Sequence, residues 1–524
     1  MGGGFGGLYT ALNIASRSRQ DKRNPLNIVL VDESDRFVFL PLLYDLVEGT
    51  ATRQEVCPPY KEILEGTNIR FIRGTLKDVM IPATITSKDS LSTATIIDAV
   101  NPSNTFQVSF RQGVLAVGAT PQSILNKVPG ATNYTQPFYS QEHALQTRAL
   151  LQQLEQRQRD QPDQPLKLAV VGGGYGGVEL AACLQRRFGK TKAHVTLLAR
   201  SPPLQGTRAE PVVQQALTKL GVKVEICRVD AVEAVDSEPE TESILTQHPR
   251  VRVQRTASDK KDSVATHDRA NDQIWDAVFW TAGSGPAEPV SDPDALVGLE
   301  RIEGRLATDR TLRCYGKDRS VRSSQPPIWA LGDCATAIGG DPTPKTAQAA
   351  MQQSDVVTYN VLVEYASTGA VSRRMTRDAP KKFAYQDLGS MMMLGGPNGV
   401  VSAPPDSSTL GPLFAPLIDT VRLGLGVADS ILTQQRQESS PLSNLSLGGY
   451  GLGVDDDPSK TPGSLAGTLA GAARRAVYAA RMPTNRQRAY SAASAALSTA
   501  LTLAQEAAPQ GNSKNADNEK DPLE

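Results

Sequence analysis

Residues 166–177 read LKLAVVGGGYGG, an apolar run followed by a turn in which Gly172, Gly174 and Gly177 satisfy the pattern G-x-G-x-x-G. The apolar run predicts a buried strand, and the residues after the turn, VELAACL, predict a helix. Such a turn needs glycines because its backbone must approach a pyrophosphate that lies on the helix N-terminus. Residues 194–198, HVTLL, predict the next strand. We therefore predict a dinucleotide-binding α/β domain here.

The same pattern occurs a second time at the start of the chain, with glycines at three matching positions, Gly2, Gly4 and Gly7. A helical pattern follows, and residues 27–31, NIVLV, predict a buried parallel strand that ends at Asp32 and Glu33. An acidic residue at this place is the expected hydrogen-bond acceptor for a ribose hydroxyl. Asp32 is the first candidate and Glu33 the second, so we predict two dinucleotide-binding folds.

The first turn has no apolar strand before it, because the sequence begins at the turn itself. A glycine loop of this type is held at the carboxyl end of a sheet by the strand that precedes it. We therefore expect that strand, together with any targeting peptide, to lie upstream of Met1 in a longer chain.

The second fold differs from the first at the end of its second strand, where the sequence is Leu197-Leu198-Ala199-Arg200. No acid follows this strand, and an arginine stands nearby. A carboxylate would repel a ribose 2′-phosphate, whereas a guanidinium can bind one through two hydrogen bonds. Arg200 therefore predicts that NADPH is accepted, with a simply solvated arginine as the alternative.

Composition excludes several classes of protein. The 524 residues contain 55 Lys and Arg and 55 Asp and Glu, so a net charge of zero argues against a nucleic-acid binder. No run of about 18 apolar residues occurs, so membrane contact is expected to be peripheral. The five cysteines are far apart and the four histidines are not clustered, which predicts neither a redox disulfide nor a metal site.

The predicted organisation is one nucleotide-binding domain inserted in another. We place the domains at 1–163 (first domain, first part), 164–285 (second domain), 286–370 (first domain, second part), 371–508 (C-terminal region) and 509–524 (disordered tail). Two polar insertions are expected at 237–272, as a surface hairpin or disordered loop, and at 403–463.

Two helices are predicted near the C-terminus, at residues 471–481 and 490–508. Five arginines occur in a short stretch without acids: Arg474, Arg475, Arg481, Arg486 and Arg488. With the neighbouring apolar residues they could lie on an anionic bilayer surface. Packing of the alanines on the main body, or a homodimer contact, are the alternatives.

These segments resemble type II NAD(P)H:quinone oxidoreductases, members of the flavoprotein superfamily with two dinucleotide-binding domains. The motifs that carry the resemblance are GGGFGG (2–7), FLPLLYDL (39–46), VPGATNYTQPF (128–138), GGGYGGVELA (172–181), WALGDCA (329–335), TAQAAMQQ (346–353) and FAYQDLGSMMMLG (383–395). The last motif and RRAVYAARMPTNRQR (474–488) most resemble the plant and algal chloroplast branch, whose members also reduce demethylphylloquinone.

The resemblance implies FAD as the cofactor and NADPH or NADH as the electron donor. The first glycine turn and the acid after it would bind the ADP half of FAD, and the second glycine turn would hold the nicotinamide cofactor. Gly332 and Asp333 would bind the flavin ribityl or pyrophosphate group, and Thr346 and Ala347 would lie by the isoalloxazine ring. A helix is predicted to begin at residue 343, and its N-terminal amides could stabilise the reduced flavin anion.

The resemblance also implies the catalytic residues. Glu179 would lie near the nicotinamide, and Gln348 and Gln352 would line a quinone pocket. The alternatives are a dipole-favoured carboxylate in the first turn of a helix for Glu179, and ordinary capping or packing for the two glutamines. Gln386 and Leu388 depart from the lysine-bearing respiratory version of the motif, so respiratory-type contacts are not assumed there.

The implied reaction is hydride transfer from NAD(P)H to FAD, followed by two-electron reduction of a membrane quinone of the plastoquinone, ubiquinone or demethylphylloquinone class, without proton pumping. The implied location is the surface of a chloroplast membrane (thylakoid or plastoglobule), a mitochondrial membrane, or both. Three alternatives are a sulfide:quinone oxidoreductase that uses Cys334, a non-enzymatic redox-sensing flavoprotein, and a flavoprotein that has lost FAD binding.

Overall fold

The computed structural model describes residues 1–18, 26–82, 91–121, 125–235, 250–257, 273–317, 326–340, 342–367, 379–395, 398–402 and 464–507. The chain divides into two compact units, Met1–Gly389 and Ser390–Glu524. The predicted insertion at 403–463 and the predicted tail at 509–524 lie outside the described residues. Within the predicted insertion at 237–272, only residues 250–257 are described, and they contain a strand.

The strands of the first unit begin with β1 (Ile28–Asp32), β2 (Ile69–Met80), β3 (Ser92–Asp98), β4 (Thr105–Phe110), β5 (Gly113–Leu115), β6 (Ala119–Thr120), β7 (Gln136–Pro137), β8 (Leu166–Val171) and β9 (Ala193–Ala199). They continue with β10 (Lys223–Ala234), β11 (Val251–Ala257), β12 (Ile274–Trp275), β13 (Ala277–Trp280), β14 (Gly285–Pro286), β15 (Arg301–Ile302), β16 (Arg305–Thr308), β17 (Ile328–Ala330) and β18 (Ala335–Ala337). The second unit contains β19 (Ser390–Met393), β20 (Gly399–Ser402) and β21 (Ser464–Gly467).

The α-helices are α1 (Phe5–Ser18), α2 (Leu43–Glu48), α3 (Arg53–Val56), α4 (Tyr60–Ile63), α5 (Ala131–Tyr134), α6 (Gln141–Asp160), α7 (Tyr175–Phe188), α8 (Glu210–Leu220), α9 (Ala347–Ser367), α10 (Thr468–Ala480) and α11 (Asn485–Ala507). Two 3-10 helices occur at Leu40–Leu42 and Gly332–Cys334.

The second nucleotide-binding fold is built on a seven-stranded sheet with the order β12-β11-β10-β9-β8-β13-β7. The pairs from β10 to β7 are parallel, whereas β11 and β12 join antiparallel at one edge. Strand β8 is central and buried apart from Lys167, which explains its almost continuous apolar sequence. The predicted strand–turn–helix–strand unit is therefore present, and it begins at the predicted residue, Leu166.

The first nucleotide-binding fold contains a four-stranded sheet, in which β1 and β2 are parallel and β2, β3 and β4 antiparallel, and a parallel pair formed by β5 and β17. The main chain of Met1 and Gly2 connects the two: Gly2 N donates to Val31 O, and Ala116 N donates to Met1 O, both at 2.8 Å. The buried core of this fold includes Leu76, Ile96 and other aliphatic residues. The predicted α/β class with two nucleotide-binding folds is confirmed.

The second unit is an antiparallel sheet of β19, β20 and β21 together with α10 and α11. Arg474 and Arg475 are only 1% and 7% exposed, so these two members of the predicted arginine surface do not face outward. The Arg474 guanidinium lies 5.4 Å from the centre of the Tyr478 ring, and Arg475 donates to Ser494 Oγ at 3.1 Å. This corrects the prediction for two of the five arginines, because helix α10 turns that pair inward.

Among the helices of the described residues, none combines the length and the apolar character needed to cross a membrane.

Candidate functional site

The three pattern glycines of the first turn have three different steric surroundings. Gly2 has φ +91°, and a Cβ there would lie 2.2 Å from Ala116 O. A Cβ on Gly7 would lie 1.8 Å from Gly2 O, so this residue allows α1 to pack against the turn. A Cβ on Gly4, in contrast, would have no atom within 4 Å. The turn is therefore tight on its inner side and open at Gly4, where a ligand can approach the backbone.

The second turn repeats this division of roles. Gly172 has φ +125°, and its Cβ would lie 2.6 Å from Thr281 Oγ1. A Cβ on Gly177 would lie 1.7 Å from Gly172 O, whereas a Cβ on Gly174 would meet nothing within 4 Å. Helices α1 and α7 begin directly after the two open positions, so their free N–H groups point toward the open space. Both turns thus fit a pyrophosphate group.

Asp32 is held against the first turn. Its Oδ2 accepts a hydrogen bond from Gly3 N at 2.5 Å, and its Oδ1 accepts one from Ser34 N at 2.9 Å. Burial raises the pKa of Asp32 to about 6, although these two hydrogen bonds act in the opposite direction. The Glu33 side chain is exposed, so of the two candidate acids Asp32 is the one adjacent to the turn.

Tyr60 hydrogen-bonds to the main chain of this turn. Its hydroxyl donates to Gly3 O at 2.8 Å, and a Cβ on Gly3 would lie 2.1 Å from the hydroxyl oxygen. Burial, and then the charge of Asp32, raise the pKa of Tyr60 well above its usual value, so the phenol stays protonated and donates. Sequence reasoning missed this residue, because its role depends on a contact between positions 57 residues apart.

The second turn has no acid at the corresponding place. Gly2 N donates to Val31 O and Gly172 N donates to Leu198 O, each at 2.8 Å, so the two strand ends are equivalent. The residue after Leu198 is Ala199, and a Cβ on Gly173 would lie 2.9 Å from Ala199 Cβ. Ala199 thus occupies the place of Asp32. Arg200, whose residue is exposed, corresponds to Glu33.

Asp333 lies in the 3-10 helix Gly332–Cys334, next to the N-terminus of α9. Burial raises the pKa of Asp333, and the positive charges of Lys345 and Arg305 oppose this shift. Gln353 fixes the turn that carries Asp333, since its Oε1 accepts from Gly332 N at 2.7 Å. Gln353 is buried, and sequence reasoning missed it as well. It follows Gln352 directly in α9, so its side chain leaves the helix in a different direction, toward Gly332 rather than toward Gln386.

Thr346 caps α9, which begins at Ala347 rather than at residue 343. The Thr346 hydroxyl accepts from Ala349 N at 3.2 Å, which satisfies one of the free N–H groups of the first turn. Lys345, just before it, donates to Ser284 O at 3.2 Å and so connects this helix start to the loop after β13. The structure thus brings Asp333, Thr346 and Ala347 to one edge of the first fold.

Gln348 and Gln352 both contact residues 385–389, a segment that runs along α9. Gln352 Nε2 donates to Gln386 O at 2.7 Å, and Gln352 Oε1 accepts from Gln386 N at 3.0 Å. Gln348 Oε1 accepts from the Tyr385 hydroxyl and, at 3.4 Å, from Leu388 N. The two predicted quinone-site glutamines therefore also hold a chain segment in place.

Glu179 is 6% exposed and lies on α7, one turn before the buried Cys183. Burial raises the pKa of Cys183 well above its usual value, and the charges of Glu48, Glu179 and Asp45 add to this effect. Glu179 is therefore grouped with two acids of α2, a helix that lies largely within the FLPLLYDL motif. Helix α7 begins at Tyr175 and has no acidic residue in its first turn, so Glu179 is not a first-turn carboxylate.

The geometry defines a protein with two dinucleotide sites, and comparison with known proteins agrees. The sequence profile of the pyridine nucleotide-disulphide oxidoreductase family matches residues 1–354. The chain therefore belongs to this family. All five of its cysteines are free and buried.

Two relatives show which members of the family it resembles. It is 31% identical over 415 residues to the alternative NAD(P)H-ubiquinone oxidoreductase C1, chloroplastic/mitochondrial, of Arabidopsis thaliana. That alignment covers 77% of this chain and 72% of the Arabidopsis protein. It is 30% identical over 404 residues to the demethylphylloquinone reductase NdbB of Synechocystis sp.. That alignment covers 77% of this chain and 85% of the Synechocystis protein. The predicted relationship to type II NAD(P)H:quinone oxidoreductases is confirmed.

Solved structures show the same fold at lower identity. NDH2 from Plasmodium falciparum in complex with NADH is 17% identical, covers 77% of this chain and 89% of that chain, and has a TM-score of 0.57. An engineered water-forming NADPH oxidase bound to NADPH is 18% identical, covers 77% of this chain and 74% of that chain, and has a TM-score of 0.51.

Proposed function

We propose that this protein is a FAD-dependent NAD(P)H:quinone oxidoreductase that does not pump protons. The observation that carries the proposal is the pair of glycine turns, each open at its middle pattern glycine, Gly4 and Gly174, in a chain of this family. The names of the two relatives at about 30% identity indicate the quinone as acceptor.

The residues of the first turn fit FAD. Gly2, Gly4 and Gly7 would form the cradle for the pyrophosphate, and Asp32 would accept a hydrogen bond from a ribose hydroxyl. Gly332 and Asp333 would bind the ribityl or pyrophosphate group. Bound FAD supplies the redox chemistry, because it takes two electrons from the nicotinamide and gives two to the quinone. The N–H groups at the start of α9, by Thr346 and Ala347, would stabilise negative charge on the reduced flavin.

The second turn fits the nicotinamide cofactor, with Gly172, Gly174 and Gly177 at its pyrophosphate. We propose that NADPH is accepted and preferred, because Ala199 offers no carboxylate to the ribose and Arg200 follows it. The engineered NADPH oxidase offers a parallel, because in it the Asp-Ala-Met sequence of an NADH oxidase is replaced by Ala-Arg-Ser. This chain has Ala199-Arg200-Ser201 at the end of β9.

The quinone would bind beside α9, where Gln348 and Gln352 lie next to residues 385–389. Reduction of a quinone to a quinol requires two protons, and no histidine lies in these motifs. We propose Glu179 as the residue that handles a proton, since it is buried and grouped with Asp45 and Glu48. The two-electron reaction needs no charge movement across a membrane.

Membrane association is proposed to be peripheral and to involve the second unit. Arg481, Arg486 and Arg488 remain exposed, and Tyr490 and Leu497 are exposed on α11, 48% and 53% respectively. Cations at the start of a helix with an apolar stripe are typical of a helix that lies on an anionic bilayer. A chloroplast or mitochondrial membrane surface would match the name of the Arabidopsis relative. A homodimer contact through the same helices is the alternative use of this surface.

A sulfide:quinone oxidoreductase is not favoured by the geometry. Cys334 is fully buried, and burial raises the pKa of its thiol to about 11. A redox-active cysteine must be reachable by its sulfur substrate and reacts as the thiolate, so the buried Cys334 thiol is unsuited to sulfide oxidation. The thiol instead donates to Leu331 O at 3.3 Å.

Anaerobic spectroscopy of the purified protein tests the function. We expect bound flavin to lose its visible absorbance on addition of NADPH, and to regain it on addition of a soluble quinone. The same sample treated with sulfide should keep its absorbance. A colourless protein, or flavin that sulfide reduces and NADPH does not, would overturn the proposal.

A further inference from the structure

Tyr385 lies where the main chain of residues 385–389 meets the start of α9. Its hydroxyl donates a hydrogen bond to Gln348 Oε1. The Thr346 side chain also hydrogen-bonds to the Tyr385 hydroxyl. Thr346 is the residue proposed to lie by the flavin, and Gln348 is proposed to line the quinone pocket. The Tyr385 hydroxyl thus contacts one residue of each proposed site.

The hydrogen bonds of Gln348 are distributed unequally over its amide. Its Oε1 accepts from both the Tyr385 hydroxyl and Leu388 N, so both acceptor positions of that oxygen are used. Its Nε2 carries two hydrogens and makes one long contact, 3.4 Å to Gly389 O. The nitrogen end is therefore the end of this amide that can donate to another group.

Gln352, one turn further along α9, provides the contrast. Both ends of its amide pair with the main chain of one residue, Gln386, at 2.7 and 3.0 Å. This closed pair uses Gln352 to attach the segment. Gln348 is instead held mainly by its oxygen, and its nitrogen makes only the long contact to Gly389 O.

We infer that Tyr385 is a positioning residue for quinone reduction: its hydroxyl holds the Gln348 amide with the NH₂ group directed to a quinone oxygen. A donor there would stabilise the negative charge that develops on that oxygen as electrons arrive. The inference rests on the proposed function and adds a residue to it. Burial, and then the charge of Asp387, raise the pKa of Tyr385 to about 12, so the phenol remains a donor at neutral pH.

The test separates the two half-reactions in the FAD-containing protein. Tyr385→Phe removes the hydroxyl and keeps the ring. We expect reduction of the flavin by NADPH to stay within about 2-fold of wild type, and reoxidation by quinone to slow by roughly 10-fold, as for the loss of one oriented hydrogen bond. Tyr359→Phe is the matched control: it removes a tyrosine hydroxyl from α9, the helix that carries Gln348, and keeps the ring whose centre lies 4.2 Å from Lys381 Nζ. It should change neither rate.

A double-mutant cycle with Gln348→Leu tests whether Tyr385 acts through Gln348. We expect Tyr385→Phe to have no further effect on quinone reoxidation in the Gln348→Leu protein. An equal 10-fold effect in both backgrounds would overturn the inference, as would a wild-type reoxidation rate in the single variant. Failure of the proposed function looks different, because quinone would then not reoxidise the flavin of the wild-type protein either.

Discussion

The two glycine turns have the same backbone design and different surroundings. In each, the first glycine makes the turn, the middle one faces open space and the third allows the helix to pack. The strand end beside the first turn carries Asp32, which hydrogen-bonds to Gly3 N, whereas the equivalent place beside the second turn holds Ala199. The comparison predicts that the shared backbone binds a pyrophosphate in both turns, and that the one or two residues after the strand select the nucleotide.

The largest effect is expected from adding a side chain where the first turn packs against helix α1. Gly7→Ala should lower the free energy of unfolding by roughly 3 kcal/mol, because the new Cβ would lie 1.8 Å from Gly2 O. Gly4→Ala should leave that free energy nearly unchanged and still reduce the FAD content. Denaturant unfolding and flavin absorbance measure the two effects. Equal destabilisation by both substitutions would show that the glycines do not have separate roles.

The next largest effect is expected at Ala199, which stands beside the second turn where the first turn has Asp32. Ala199→Asp should lower the NADPH to NADH ratio of kcat/KM by about 10- to 100-fold, since a carboxylate there would repel a 2′-phosphate and accept from a ribose hydroxyl. Steady-state rates with both cofactors provide the measurement. An unchanged ratio would remove Ala199 from the account of specificity.

A smaller effect is expected at the arginine. Arg200→Glu should lower the same ratio by roughly 10-fold, because one charged hydrogen-bonding partner of the phosphate is lost. Lys192→Glu is the control: it makes the same charge change beside the opposite end of β9, where Lys192 is exposed. If both variants lower the ratio equally, only general electrostatics is involved and Arg200 has no specific role.

The smallest effect is a pH dependence of stability in FAD-depleted protein. The pKa of Asp32 is raised to about 6 in the folded state. Its contribution to stability is therefore fully present below the unfolded pKa, near 4, and is lost as pH rises through 6. Asp32→Asn removes this loss. Relative to wild type, the variant should gain stability between pH 4 and pH 7 in thermal unfolding, and no such trend would contradict the raised pKa.

The sequence predicted the parts of the molecule that depend on local pattern. Strand β8 begins at Leu166 because an almost continuous apolar run followed by glycines specifies a buried strand and a tight turn without further information. The start of α9 was predicted a few residues early, since Pro344 and the Thr346 cap move it to Ala347.

Residues whose roles depend on distant contacts could not be read from the sequence. Tyr60, Gln353 and Tyr385 each act through a partner brought near by the fold. The same limit explains Arg474 and Arg475: composition marks them as surface residues, but the packing of α10 in its own unit buries them. The roles assigned to Glu179, Gln348 and Gln352 stay predictions.

The most direct test of the contrast between the two turns is the rate of flavin reduction by each nicotinamide cofactor in the wild-type protein. Under anaerobic conditions, stopped-flow absorbance measures this rate over a range of NADPH and NADH concentrations. With FAD on the first turn and NADPH on the second, the apparent second-order rate constant should be larger for NADPH. A rate constant at least 10-fold larger for NADH would contradict the account.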